Sequence, residues 1–217
     1  MTSKISTDIV AGGMSTNMDP TFLEAQNDLV IFLKEGYSFW GANAELIARR
    51  FANPQKTTTV VIVHPDSGSM PQVAEMDRLK TQAIQRSDCI ETVRILQTIR
   101  DVVRQQGSAE AKDSFDDCVT FVGHHYVPSW NGCVGDTQAV ANFYDTGPAP
   151  RGSMPSMTVE GALRDRFHQN CKDIVAACKM DPATNLFDFH IPADHTDLRA
   201  ERTREIGRSL IERAVLG

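Results

Sequence analysis

The sequence predicts an α/β fold: a single domain with a mixed β-sheet flanked by helices. Three observations carry that prediction. Strand-like runs alternate with helical patterns in the order β-α-β-α-α-β-β-β-α. Residues 57–63, Thr-Thr-Thr-Val-Val-Ile-Val, are all β-branched, which only a strand accommodates well. Ile90, Val93, Leu96, Ile99, Val102 and Val103 recur at helical spacing. A length of 217 residues suits one sizeable domain and is short for two.

Residues 1–18 are polar and rich in small side chains, with no apolar signal core, and are read as a flexible arm ahead of one domain at 19–217. Asp19-Pro20 is a helix start, an acid at the N-cap and proline at the first helical position, for a helix over 20–27. Leu29–Leu33 reads as a buried strand. The segment Gly36-Tyr37-Ser38-Phe39-Trp40-Gly41 breaks it, and Leu46, Ile47 and Phe51 mark a helix over 42–51 that Asn53-Pro54 ends. After the strand 57–63, His64-Pro65-Asp66-Ser67-Gly68-Ser69 is a polar loop. Two helices are expected next, over 70–86 and 89–106, with Gly107 at the second C-terminus.

Ser108–Asp117 reads as a polar linker, and strands are expected over 118–124, 136–144 and 156–159. Trp130-Asn131-Gly132 looks like a hairpin turn, because Asn-Gly suits a type I′ turn. The stretch 146–153 is a loop by composition. Gly161–Met180 patterns as a helix with Leu163, Phe167, Ile174 and Val175 inward, and Asp181-Pro182 stops it. Residues 186–191 fit no single pattern, and Thr196 is placed to cap a last helix reaching 215.

Composition narrows the function. Apolar residues make up 41% and the net charge is −6, which argues against affinity built on neutralising a nucleic-acid backbone. Arginines 199, 202, 204, 208 and 213 interleave with acids, the pattern of a solvated helix face. Cys89, Cys118, Cys133, Cys171 and Cys178 are odd in number and form no C-x-x-C pair, so reduced thiols in a cytoplasmic protein are expected. No run is long and apolar enough to span a bilayer.

The chemistry concentrates in residues 119–136 and in two loops that follow strands. His124-His125-Tyr126 ends a strand, and alternation puts His124 and Tyr126 on one face and His125 on the other. Imidazole serves as nucleophile, proton shuttle or ligand near neutral pH, so His124 and His125 are the catalytic candidates. The loop with His64, Asp66, Ser67 and Ser69 follows a strand and leads into a helix, where main-chain N–H groups receive an anion; capping is the plainer role. Tyr37 and Trp40 are placed to stack on a ligand or to plug the core. Asp136 is a further binding candidate. A metal site from Cys133, Asp136 and His64 lacks a demanding spacing, and no cofactor motif is present. A serine hydrolase lacks its G-x-S-x-G elbow, and a Cys133–His124 pair competes with Cys133 as a small buried residue.

Residues 19–180 resemble, in layout, one half of the phospholipase D-like (HKD) superfamily, and its bacterial sensor and regulatory members in particular. The resemblance runs through the strand Leu29–Leu33, the segment Ser38-Phe39-Trp40, the strand entering His64-Pro65-Asp66, the strands 118–124 and 136–144, and a closing helix with Phe167 and Cys171. It implies a phospholipase D-like half fold with a ligand groove formed by 37–41, 64–69 and 124–136. The superfamily's catalytic H-x-K and Asp are missing: Tyr126 stands at the lysine position after His124 and Asn131 at the aspartate position, while His125 has Val127 and Gly132 there. Without the lysine, a phosphoryl oxygen loses its main charge partner.

The expectation is therefore a degenerate, non-catalytic sensing or regulatory domain for a nucleotide or other phosphate-bearing small molecule. Active relatives pair two halves face to face, so one copy implies a homodimer; the apolar faces of 90–103 and 198–215 are available as interface or as core. Two rivals stand: a divergent phosphodiesterase or nuclease using His124 or His125, and an interaction protein or secreted bacterial effector without a small ligand.

Overall fold

The run of β-branched residues at 57–63 is a strand, β3 (Thr57–Val63), one in from the edge of a seven-stranded sheet. In the computed structural model, which describes residues 5–8, 20–76, 81–143, 156–198 and 208–216, the strand order is β1-β7-β6-β5-β2-β3-β4. The other strands are β1 (Ile5–Asp8), β2 (Asp28–Phe32), β4 (Val119–His124), β5 (Trp130–Val134), β6 (Gln138–Phe143) and β7 (Ser156–Glu160). β2, β3 and β4 run parallel, and β5, β6, β7 and β1 continue antiparallel from β2. The chain is thus one mixed α/β domain, as its alternating pattern predicts.

The helices are α1 (Pro20–Ala25), α2 (Tyr37–Phe51), α3 (Met70–Met76), α4 (Gln82–Gln106), α5 (Ala109–Cys118), α6 (Ala162–Lys179) and α7 (Arg208–Leu216). The sheet sorts its residues by alternation. Leu29, Ile31, Val60, Ile62 and Phe121 face a core shared with Phe39, Trp40, Ile47, Val93, Leu96, Ile99, Phe115 and Ile211. Val30, Phe32, Val61, Val122 and Trp130 face the opposite side, where α6 supplies Cys171, Cys178, Phe167 and Ile174. The α4 face expected as core or interface is core: its apolar residues between 90 and 103 pack inward, and α7 lies against α4 and α2.

Four readings of the sequence are corrected. Ile5–Asp8, assigned to a flexible arm, pairs with β7 as an edge strand. Residues 37–41, read as a break, are the first turn of α2; Gly36 at φ 82° turns the chain from β2 into the helix, and Trp40 N–H donates to its carbonyl. The linker 108–117 is α5, because the Ser108 hydroxyl accepts from Ala111 N–H at 3.1 Å while Ala111 and Phe115 face inward. Trp130-Asn131-Gly132 is not a turn but the start of β5, where Gly132 has room for no side chain against the Val140 carbonyl.

Boundaries shift elsewhere. Residues 77–80, inside the expected helix 70–86, lie outside the described residues, as do 199–207 in the expected last helix and the loop 146–153. The stretch 181–198, after a 3-10 turn at Pro182–Thr184, runs as an irregular strap. It covers the outer edge of β4, with Asn185 bridging to Val122 and Leu186 N–H donating to Phe121 O at 3.0 Å. It then follows α4 back toward the ends of the parallel strands, held by Gln97 on the carbonyls of Leu186, Phe187 and Phe189.

Candidate functional site

Three parallel strands finishing side by side bring the ends of β2, β3 and β4 to one edge, the usual location of ligands in open α/β sheets. His64 follows β3 and His124 ends β4; His64 N–H donates to the His124 carbonyl at 2.8 Å. This contact is close because residue 123 is glycine: a Cβ there would lie 2.8 Å from His64 Cδ2.

Alternation at the end of β4 separates the next side chains. His125 stacks on His64 with ring centroids 5.0 Å apart, while Tyr126 stacks on His124 at 5.9 Å. His124 also stacks on Phe32 of β2 at 5.3 Å. Both buried histidines are tied by Nδ1 to the main chain two residues on: Asp66 N–H donates to His64 at 3.1 Å, and Tyr126 N–H to His124 at 3.2 Å. An Nδ1 that accepts leaves the proton on Nε2 of the neutral ring. His64 Nε2 donates to Ala183 O in the strap at 3.3 Å; His124 Nε2 is buried and meets no acceptor. Burial, and then the neighbouring His125, pushes His124 down to about 4 and lowers His64 as well. Both are therefore neutral near pH 7.

The rest of the predicted set divides. Asp66, Ser67 and Ser69 adjoin His64: Ser67 and Ser69 share a hydroxyl contact at 2.8 Å, and Asp66 pairs with Arg86 of α4 at 2.7 Å. Tyr37 is the first residue of α2 and donates to Asp197 at 3.1 Å. Trp40 is fully buried in the core, so it is a plug and meets no ligand. Asp136 lies at the opposite end of the sheet, where it accepts from the N–H groups of Asn27 and Asp28 at 2.7 and 3.0 Å. It clamps a loop and does not belong to the carboxyl edge.

A second cluster beside this edge escaped the sequence reading. On α4, Gln85, Ser87, Asp88, Glu91 and Thr92 are buried among apolar neighbours. Gln85 Nε2 donates to Glu35 at 3.1 Å, and Thr92 Oγ1 to the Glu35 carbonyl at 2.5 Å. Glu91 binds Arg94 at 2.7 Å and His195 of the strap at 3.0 Å. Leu198 N–H donates to Ser87 Oγ at 3.3 Å. The signal available in the sequence was polar residues at stripe positions, 88, 91 and 92, that the helical period points inward.

The chemistry this arrangement permits is limited. Among the described residues no carboxylate hydrogen-bonds the ring of His64 or His124, so neither has the orienting acid of a proton relay. Cys133 is fully buried and its thiol is driven far up, while Cys171 is pushed up to about 12; neither supplies a thiolate at neutral pH. Among the described residues no three His, Cys, Asp or Glu side chains converge as metal ligands, and no helix is long and apolar enough to cross a membrane.

No family model and no curated protein sequence matches the chain. Among solved structures it is similar to TrmBL2, an archaeal chromatin protein described as showing a novel mode of DNA binding, at 9% identity and a TM-score of 0.46. The match covers 81% of this chain and 52% of that one, so this chain spans about half of that protein's length.

Proposed function

We propose that this chain is a non-catalytic, phospholipase D-like ligand-binding domain whose ligand lies at the carboxyl edge of β2, β3 and β4. One observation carries the reading. His124, where the resemblance places a nucleophile, is 1% exposed, and its Nδ1 is occupied by Tyr126 N–H. A nucleophile for phosphoryl transfer needs an exposed ring nitrogen and a cation beside the phosphate, and Tyr126 stands where the lysine would. The ligand class is a nucleotide or other phosphate-bearing small molecule. His125 and Tyr126 offer exposed ring surface to a base, and Arg86, beside the 64–69 loop, offers a cation to a phosphate in exchange for Asp66.

The test pairs binding with turnover. Nucleoside monophosphates are expected to raise the melting temperature, while bis(p-nitrophenyl) phosphate is expected to stay intact with and without chelator. Hydrolysis that His124→Ala or His125→Ala abolishes would sink the binding-only reading in favour of a phosphodiesterase.

A further inference from the structure

α4 carries a polar face that core packing does not ask for. Ser87 and Glu91 stand one turn apart on it and are 4% and 3% exposed. Burying a hydroxyl and a carboxylate costs free energy that apolar residues at the same positions would not. What lies on them is irregular chain, residues 195–198 at the end of the strap.

The segment is seated residue by residue. His195 Nε2 donates to Glu91 Oε1 at 3.0 Å. Ser87 Oγ reaches the main chain twice, donating to the Thr196 carbonyl at 3.5 Å and accepting from Leu198 N–H at 3.3 Å. Between those two bonds the Asp197 carboxylate accepts from the Tyr37 hydroxyl at 3.1 Å. Two side chains two residues apart thus meet groups of complementary chemistry, while one hydroxyl holds the backbone. Peptide-binding sites work in the same way, with main-chain bonds for affinity and alternate side chains for specificity.

The hold is polar only. Earlier in the strap Leu186 is fully buried, whereas no apolar residue of 192–198 is buried and Leu198 is 54% exposed. A segment without buried apolar contacts belongs to the part of a fold that opens first. Opening leaves Ser87 and one oxygen of Glu91 without these partners, while Arg94 keeps the other oxygen.

We propose that this face of α4 is a docking site for an extended peptide of a partner protein, and that residues 195–198 occupy it in cis as an autoinhibitory segment. The peptide carries a basic side chain for Glu91 and, two residues on, an acid for Tyr37. The occupant itself sets that pattern, and lysine or arginine suits the carboxylate as histidine does. Tethering gives the cis segment an effective concentration on the order of millimolar, so a short peptide in trans competes poorly until the cis contacts are removed. The inference is independent of any small ligand at the carboxyl edge.

The probe is the synthetic peptide Pro-Ala-Asp-His-Thr-Asp-Leu, the sequence of residues 192–198, labelled for fluorescence polarisation and titrated into the full chain. His195→Ala combined with Asp197→Ala empties the site in cis, and this double variant is expected to bind the peptide at least about tenfold more tightly than the wild type does. A peptide with lysine in place of its histidine is expected to bind as well. Peptides with alanine in place of the histidine or of the second aspartate are expected to bind about tenfold more weakly, the loss of one charge-assisted hydrogen bond. In the wild type, the lysine peptide in excess should speed amide exchange at 195–198 and leave β3 unchanged, a readout that needs no variant. Equal binding by the two proteins, or none by either, overturns the proposal. So does binding that survives scrambling of the peptide, and so does an excess of peptide that leaves exchange at 195–198 untouched.

Discussion

Acid should weaken this fold through His124 before its carboxylates titrate. The imidazole is neutral in the folded protein down to about pH 4, whereas the unfolded chain protonates it near 6.5. Between those values the unfolded state holds more protons, so stability is full above pH 6.5 and falls as pH drops through the window. The full shift corresponds to about 3 kcal/mol, and about 2 kcal/mol of it is lost by pH 5. The structural cause is direct: an imidazolium cannot accept the Tyr126 N–H bond at Nδ1, and Nε2 has no acceptor to receive its charge. The lowered His64 acts in the same direction. The assay is urea denaturation at pH 7.5, 6 and 5 for the wild type and His124→Phe, which keeps the stack on Phe32 and removes the titration. The wild type should lose about 2 kcal/mol more than the variant between pH 7.5 and 5, or roughly 4–8 °C in melting temperature. Parallel losses in the two proteins would refute the reasoning, as would a proton NMR midpoint for His124 near 6.5.

Three further outcomes follow from individual contacts. Arg50 donates to the carbonyls of Leu23, Gln26, Asn27 and Thr57 and to Thr58 Oγ1, tying α1, β2 and β3 together at the end remote from the site. Arg50→Met should cost about 4 kcal/mol in denaturant melts by leaving buried carbonyls unpaired, with the ¹⁵N resonances of His64 and His124 little moved. Gly123→Ala places a Cβ 2.8 Å from His64 Cδ2 and 3.0 Å from its Cα. It should cost about 1–3 kcal/mol and weaken ligand binding, because the ends of β3 and β4 must part. Glu91→Gln should release the strap first: amides of 195–198 should exchange faster with solvent while those of β3 keep their protection, since His195 and Arg94 both lose their carboxylate partner.

Sequence exposed those elements whose local pattern and tertiary role agree. β3 announced itself because all seven residues are β-branched, and α4 because its apolar stripe repeats for several turns. Elements without such a margin were misread. α5 buries only Ala111 and Phe115, too few to establish a period, so its polar composition read as a linker. β5 begins Trp-Asn-Gly, a turn signal in isolation, and becomes a strand only because β2 and β6 pair with it from either side. β1 is four residues long and is defined by its pairing with β7, more than a hundred residues away.

The site divides along the same line. Alternation alone set His124 and Tyr126 apart from His125, and those side chains do stack on different partners. What alternation cannot give is depth. Trp40 and His124 are both aromatic residues at the ends of strand-like runs, yet one is a core plug and the other a buried donor beside an exposed ring. Asp136 follows a strand in sequence but an antiparallel one, so it emerges at the far end of the sheet. Strand direction, which the sequence does not carry, decides whether a residue after a strand reaches the ligand edge. The polar residues of α4 make the converse point: buried Glu91 pairs with Arg94 on its own helix and with His195, which returns to it across more than a hundred residues. An inward polar residue on an otherwise apolar stripe is thus a sequence-level sign that some distant segment must come back to satisfy it. Here that segment is the strap that also supplies the Ala183 carbonyl to His64, so one stretch of chain completes both the buried cluster and the candidate site.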